Sequence, residues 1–232
     1  MKKYVLTENT IEFFGITLYQ IKAVRSFGDV GEGELGGWIA KEENLDQSGN
    51  AWVSGNAQVY GNARVSGNAW VSGDAQVSGN ARVSGNAWVS GNAWVYGNAW
   101  VSGNAQVYGD AWVYGNARVS GNAWVSGDAQ VSGNAWVSGN AWVYGDARVE
   151  SSRHIVWFSN VGSENGTLTA FTSKTGEIEV TRGCFFGTID EFEQKVKTRH
   201  SDSKYAEEYL ILVEYIRLRF RDVKVTADGD NS

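Results

Sequence analysis

Tryptophan is the residue type with the most chemistry to offer in this chain of 232 residues: there are eleven. Nine of them stand at one position of a six-residue motif, where the side chain is expected to face out. An indole is large and prefers burial, so a solvent-facing row of indoles asks for a partner. Trp52, Trp70, Trp88, Trp124 and Trp142 make one such row, and Trp94 and Trp112 belong to a second. Tyr60, Tyr96, Tyr108, Tyr114 and Tyr144 lie nearby. Such surfaces stack on sugars, pack against protein, or are covered by another copy of the chain. Asp110, Asp128 and Asp146 are the candidate metal ligands. They would stack about 4.8 Å apart, and like charges that close repel unless a cation or a base intervenes. Arg148 stands two residues after Asp146, and Asn56 and Asn92 interrupt the column. The expectation is a solvated ladder without a metal or cofactor. Cys184 lies in Gly-Cys-Phe-Phe-Gly near a helix start, which would favour a thiolate. No histidine is placed beside it, so a buried, inert thiol is expected. Arg64, Arg82 and Arg118 read as a solvated face. The two histidines, His154 and His200, both lie outside the repeat.

The repeat must position these residues. Valine recurs every sixth position from Val53 to Val149, with alanine two residues before each. Residues two apart in an extended segment share a face. Ala-x-Val therefore points its small and branched side chains inward and x outward. Ser-Gly-Asn or Tyr-Gly-Asn follows and reads as a turn, since glycine and asparagine both tolerate positive φ. Three strand-turn units per coil give a triangular prism that closes every 18 residues. Residue types segregate at that spacing. One row reads Trp52, Trp70, Trp88, Gln106, Trp124, Trp142, and a second Gln58, Gln76, Trp94, Trp112, Gln130, Arg148. The third reads Arg64, Arg82, Trp100, Arg118, Trp136. Aspartate replaces asparagine only at Asp74, Asp110, Asp128 and Asp146, all in one such row.

The motif Val-Ser-Gly-Asn-Ala-x, repeated through residues 50–149, is similar to the hexapeptide repeat of bacterial transferases. The resemblance implies a left-handed parallel β-helix. It also implies a trimer, in which a histidine between subunits acts as general base for acyl transfer. His154, just past the last coil, is the candidate for that role. The repeats lack the loop insertions that build acyl-CoA sites in that family. The stretch Lys22–Val53 resembles the leader of a bacterial and phage branch of hexapeptide-repeat proteins, some of them acetyltransferase-like. Gly183–Thr188 with Phe192 and Lys204–Tyr209 is similar to a C-terminal module of phage and prophage proteins.

The flanks are not repetitive. Residues 1–49 are expected to form an N-terminal β cap, with a strand around Ile16, Leu18, Ile21 and Val24, because an open solenoid end exposes unpaired backbone. Residues 150–222 read as a βββαα module. Asn165-Gly166 joins two strands, a third runs from Glu177 to Arg182, and Thr188-x-x-Glu191 is a capping box opening a helix. Tyr205, Tyr209, Leu212, Val213, Ile216 and Phe220 recur at helical spacing in a second helix. Residues 223–232 are expected to be a tail. The fold class is thus mainly β: a single-stranded left-handed β-helix of 18 residues per coil with a β cap and a small α+β module.

Net charge is −6, and no segment is a basic patch, so the footprint of nucleic-acid binding is missing. No apolar run approaches the ~20 residues of a membrane span. The start lacks the apolar core of a secretion signal, and a cytoplasmic protein is expected. Near-identical repeats suit a job that depends on length and surface periodicity, whereas active sites need unique residues at unique positions. The expectation is a non-enzymatic scaffold displaying Trp and Tyr rows for self-association, as a homo-oligomer, or for a protein or glycan partner. The alternatives are an acyltransferase using His154 and a carbohydrate binder using the Trp ladder.

Overall fold

The computed structural model describes residues 2–225; of the expected tail, residues 226–232 lie outside the described residues. The repeat builds a β-solenoid whose rungs are only two residues long, x and Val, from Trp52–Val53 to Arg148–Val149. Each rung pairs in parallel with the rung eighteen positions on: Trp52 with Trp70, Gln58 with Gln76, Arg64 with Arg82. Three parallel sheets result, and the one holding Trp52 has six strands, so the solenoid makes about six turns.

Backbone pairing and burial together hold rungs this short. In each repeat from Gln58 to Asn122, three N–H groups donate to the next coil. Trp70 N donates to Ala87 O, Ser72 N to Val89 O, and Asp74 N to Gly91 O, each at 2.9 Å. Inside, every repeat alanine and valine is buried. Burying a valine contributes roughly 1.5–3 kcal/mol relative to leaving it exposed, and the narrow prism has room for little else. At the turn, glycine alone takes positive φ, as at Gly85 (φ 69°). Among the described residues, no repeat asparagine does so. Asparagine serves a different purpose, donating its side-chain amide to the asparagine of the next coil. The column Asn68–Asn86–Asn104–Asn122–Asn140 is linked at 3.0, 2.9, 2.9 and 3.0 Å.

At the N-terminus, β1 (Tyr4–Phe13) and β2 (Ile16–Ala23) form a hairpin, and β3 (Leu35–Ile39) follows. β1 is not apparent from hydrophobic alternation, because Thr7, Glu8, Asn9 and Thr10 interrupt its apolar pattern. β3 pairs antiparallel with β2 and parallel with the Gln58–Val59 rung. The stretch expected to be only a cap therefore contains a solenoid rung, and the hairpin extends one solenoid face. Lys3 and Tyr4 close the open end. Lys3 Nζ donates to the carbonyls of Ser48, Gly49 and Ala51 at 3.3, 3.4 and 2.8 Å. The Tyr4 hydroxyl meets the Glu42 and Leu45 carbonyls at 2.9 and 2.8 Å. Burial pulls the Lys3 ammonium down to about 8.

Trp52 corrects the expectation of an outward row. It is fully buried, edge-on to Tyr4 and Phe27 at 6.4 and 5.5 Å. Gly36 permits this, since a Cβ there would lie 2.6 Å from the Trp52 ring. The rung is outward in register, but the returning N-terminal segment covers it.

The C-terminal module is ββββαα, not βββαα. Its antiparallel strands are Ile155–Val161, Gly166–Thr172, Ile178–Arg182 and Phe185–Thr188. The fourth strand is four residues long and holds Gly187, so it carries little strand signal. The first turn spans 162–165, with Gly162 and Asn165 at positive φ. Helix α1 (Ile189–His200) opens on the Thr188–Glu191 capping box, and α2 (Lys204–Phe220) opens on Ser203. The module has its own core, including Leu168, Val180, Phe192, Val213 and Ile216. It also seals the solenoid end. Ala147 bridges to Ser173, Trp142 N donates to Thr169 Oγ1 at 3.1 Å, and the Thr172 hydroxyl donates to the Arg148 carbonyl.

Candidate functional site

The outward rung positions carry the surface with most capacity for recognition. Trp70, Trp88, Gln106, Trp124 and Trp142 follow one another in register on one face. Two forces orient the rings. Indole N–H groups are tied to serines sixteen positions earlier: Trp70 to Ser54 at 3.0 Å, Trp100 to Ser84 and Trp136 to Ser120 at 3.2 Å. Neighbouring rings also stack at the rung spacing. Trp124 and Trp142 lie 4.9 Å apart at 19°, and Trp94 and Trp112 5.4 Å apart at 12°. Tyr96 and Tyr114 stack at 5.0 Å and 1°. Burial and the Tyr114 phenol push the Tyr96 hydroxyl up to about 12. Three indole N–H groups are thus engaged by the solenoid itself, and in the stacked pairs one face of each ring is turned to its neighbour. Trp88, Trp112 and Trp142 are exposed, Trp88 to 53%, while Trp70, Trp94 and Trp124 are half-buried. Trp52, buried under the hairpin, does not belong to this surface.

The row ends in a cleft. Where the solenoid meets the module, a cavity of about 230 Å³ is lined by Tyr108, Trp124, Trp142, Tyr144, Phe185 and Phe186. Sequence periodicity finds the first four of these. It does not find the two phenylalanines, which arrive through the folding of a separate unit.

The other candidates fare differently. Asp110, Asp128 and Asp146 do line one open groove, together with Arg148 and Lys174. Asn92 donates to Asp110 at 2.8 Å, and Asn56 to Asp74 at 3.0 Å. The interrupting asparagines thus stabilise neighbouring carboxylates by donating hydrogen bonds to them. Among the described residues, no group of three or more His, Cys, Asp or Glu is arranged to hold a metal ion. His154 is buried. Its Nε2 donates to the Lys224 carbonyl at 2.9 Å, which leaves Nδ1 to accept from the Ser151 hydroxyl at 2.8 Å. Both ring nitrogens are engaged by the chain itself, so this histidine pins the segment after α2 to the 151–154 turn that leads into the module. His200 ends α1 with its ring against Tyr205 and Tyr209. Cys184 is exposed, contrary to the buried thiol expected, because it occupies the tight turn between two strands rather than a core position. The residues missed altogether are Arg182, Lys195 and Arg199, which line a separate cleft beside Cys184. The i, i+4 spacing of Lys195 and Arg199 was visible, but the strand and helix faces that bring them to Arg182 were not.

A stack of two-residue parallel rungs sealed at both ends defines a β-solenoid repeat protein. Segments 57–73, 75–91, 87–103, 93–109, 111–127 and 129–145 match the family model described as the YdcK beta solenoid repeat, so the repeat region is similar to that solenoid. Comparison with curated proteins gives no match. Among the described residues, no helix is long and apolar enough to cross a membrane.

Proposed function

We propose that this protein is a non-enzymatic cytoplasmic scaffold: a left-handed β-helix that sets a fixed length and presents aromatic columns to a partner surface. The observation that carries this reading is the set of outward indoles held in fixed orientation, with Trp70, Trp100 and Trp136 each bonded through Nε1 to a serine of the preceding coil. A ring oriented in advance loses little rotamer entropy on binding. The interior is uniform alanine and valine, which favours rigidity over chemistry. His154, with both nitrogens engaged, offers no base for acyl transfer.

The first occupant of the columns is another copy of the chain, in a homo-oligomer for which the family resemblance favours a trimer. Light scattering at two concentrations tests this: a trimer mass at both supports it, and a monomer at both removes it. A second reading, a glycan partner, is favoured by the exposed indoles of Trp88, Trp112 and Trp142, since sugar rings pack against aromatic rings. Titrating intrinsic tryptophan fluorescence with a glycan panel tests it. Saturable quenching by one glycan, lost in a Trp94→Ala/Trp112→Ala variant, supports the reading; no response across the panel ends it.

A further inference from the structure

Beyond the aromatic columns, the C-terminal module holds a cleft whose charge runs against that of the whole chain. It is a cavity of about 130 Å³, bordered by Arg182, Lys195, Arg199, Tyr209, Phe185 and Phe192. We infer that it is a binding site for a phosphate monoester.

The first argument is Arg182. Its side chain is only 9% exposed, and the one carboxylate paired with it among the described residues, Glu164, lies 3.8 Å away and is 72% exposed. Nη2 donates to the Val161 carbonyl at 2.9 Å, and the guanidinium lies 5.8 Å from the Tyr209 ring centre. Nε has no hydrogen-bond partner among the described residues. A buried cation so weakly compensated is costly, and a bound anion would supply the missing counter-charge. Gly166 makes room for the guanidinium, since a Cβ there would stand 2.4 Å from Arg182 Nη1.

The second argument is where the neighbouring carboxylates have gone. Glu191 accepts from the Thr188 N–H in the helix cap. Glu193 pairs with Lys197 and Arg217, and Glu208 accepts from the Gly162 N–H at 3.1 Å. Lys195 and Arg199, one turn apart on α1, are left on the cleft side without an ion pair among the described residues. Lys195 Nζ sits 5.6 Å from the Phe185 ring centre.

Charge and size then select the ligand. Three cations against Glu164 leave a surplus of two, which matches a phosphate monoester, with its charge of about −1.5 to −2 at pH 7, better than a monocarboxylate. Arginine forks and a lysine point charge are the usual means of holding phosphate oxygens. The cavity has the volume of roughly four water molecules, enough for the phosphate head. The organic remainder leaves past Phe185, which also lines the aromatic cleft against Trp124 and Trp142.

Calorimetry on the full chain at fixed ionic strength, with inorganic phosphate, phenyl phosphate and acetate as probes, tests the inference. Saturable phosphate binding, tighter still for phenyl phosphate and at least tenfold weaker in Lys195→Ala/Arg199→Ala, is the expected result. Both substituted residues are exposed, so the variant folds; an unchanged circular dichroism spectrum checks that. Cys184, the one cysteine of the chain, gives an independent readout, since it borders the cleft and is exposed. Phenyl phosphate is expected to slow its alkylation by neutral iodoacetamide at least threefold in the parent and not in the double variant. Phosphate binding unaffected by the double substitution, or acetate binding as tightly as phosphate, overturns the assignment.

Discussion

Glycine at the repeat turn meets two constraints at once. Gly85 has φ 69°, and a Cβ there would come within 2.9 Å of the backbone N and O of Gly103 in the next coil. Alanine cannot relieve the second problem by changing rotamer, because the obstruction is backbone. Gly85→Ala is expected to cost about 1–3 kcal/mol, read as a lowered midpoint in urea unfolding. Glu179 is the other residue with a sharp consequence. Burial first, then the charges of Asp146 and Glu177, push its carboxyl up to about 7 from the usual 4.5. The folded state therefore holds a proton between about pH 4.5 and 7 that the unfolded state releases, and stability falls as pH rises through that window. Glu179→Gln removes the titration, so the variant's melting temperature relative to the parent is expected to be higher at pH 8 than at pH 5. A pH-independent difference would mean that the carboxyl titrates normally.

At the scale of elements, the rungs hold by repetition, and the side-chain ladders act between coils. Asn104 accepts from Asn86 and donates to Asn122, both at 2.9 Å. Replacing it with alanine breaks both bonds at an exposed position. The expected loss is about 1 kcal/mol, read by chemical denaturation. Helix α1 depends more on its cap: the Thr188 hydroxyl accepts from Glu191 N at 3.2 Å, and Thr188→Ala is expected to cost about 1 kcal/mol. Helices and rungs are readable from sequence because their signals are local. A capping box needs four residues, and a solenoid period repeats until it is unmistakable. β1 and the Phe185–Thr188 strand are not readable in this way. Their pairing is supplied by neighbouring strands, and their own residues alternate poorly or hold glycine.

At the scale of the molecule, the solenoid behaves as a one-dimensional stack whose stability is close to a sum over coils and interfaces. Deleting residues 80–97, one full coil, rejoins Gly79 to Asn98 with the motif intact. The shortened chain is expected to keep its circular dichroism spectrum and lose only one coil's share of stability, measured by denaturant midpoint. The ends do not share this tolerance. Thr169, Thr172 and Ser173 bond to the last coil, so truncation after Val149 uncovers a sheet end and apolar core. Aggregation is the expected outcome, seen as high mass in light scattering.

The six-residue period by itself determined the inward Ala and Val, the turn, the three rows and the outward position of x, because each follows from side-chain alternation and the conformational freedom of glycine. Only the tertiary structure decided which outward residues face solvent. Trp52 and Trp88 occupy the same motif position in the same row, yet the returning hairpin buries the first and leaves the second open. The meeting of Arg182 with Lys195 and Arg199 was decided at that level too. A strand and a helix carry them, and no local pattern encodes how two such elements pack. Periodicity reports what a residue does within its own coil; coverage depends on what other parts of the chain come back to touch it.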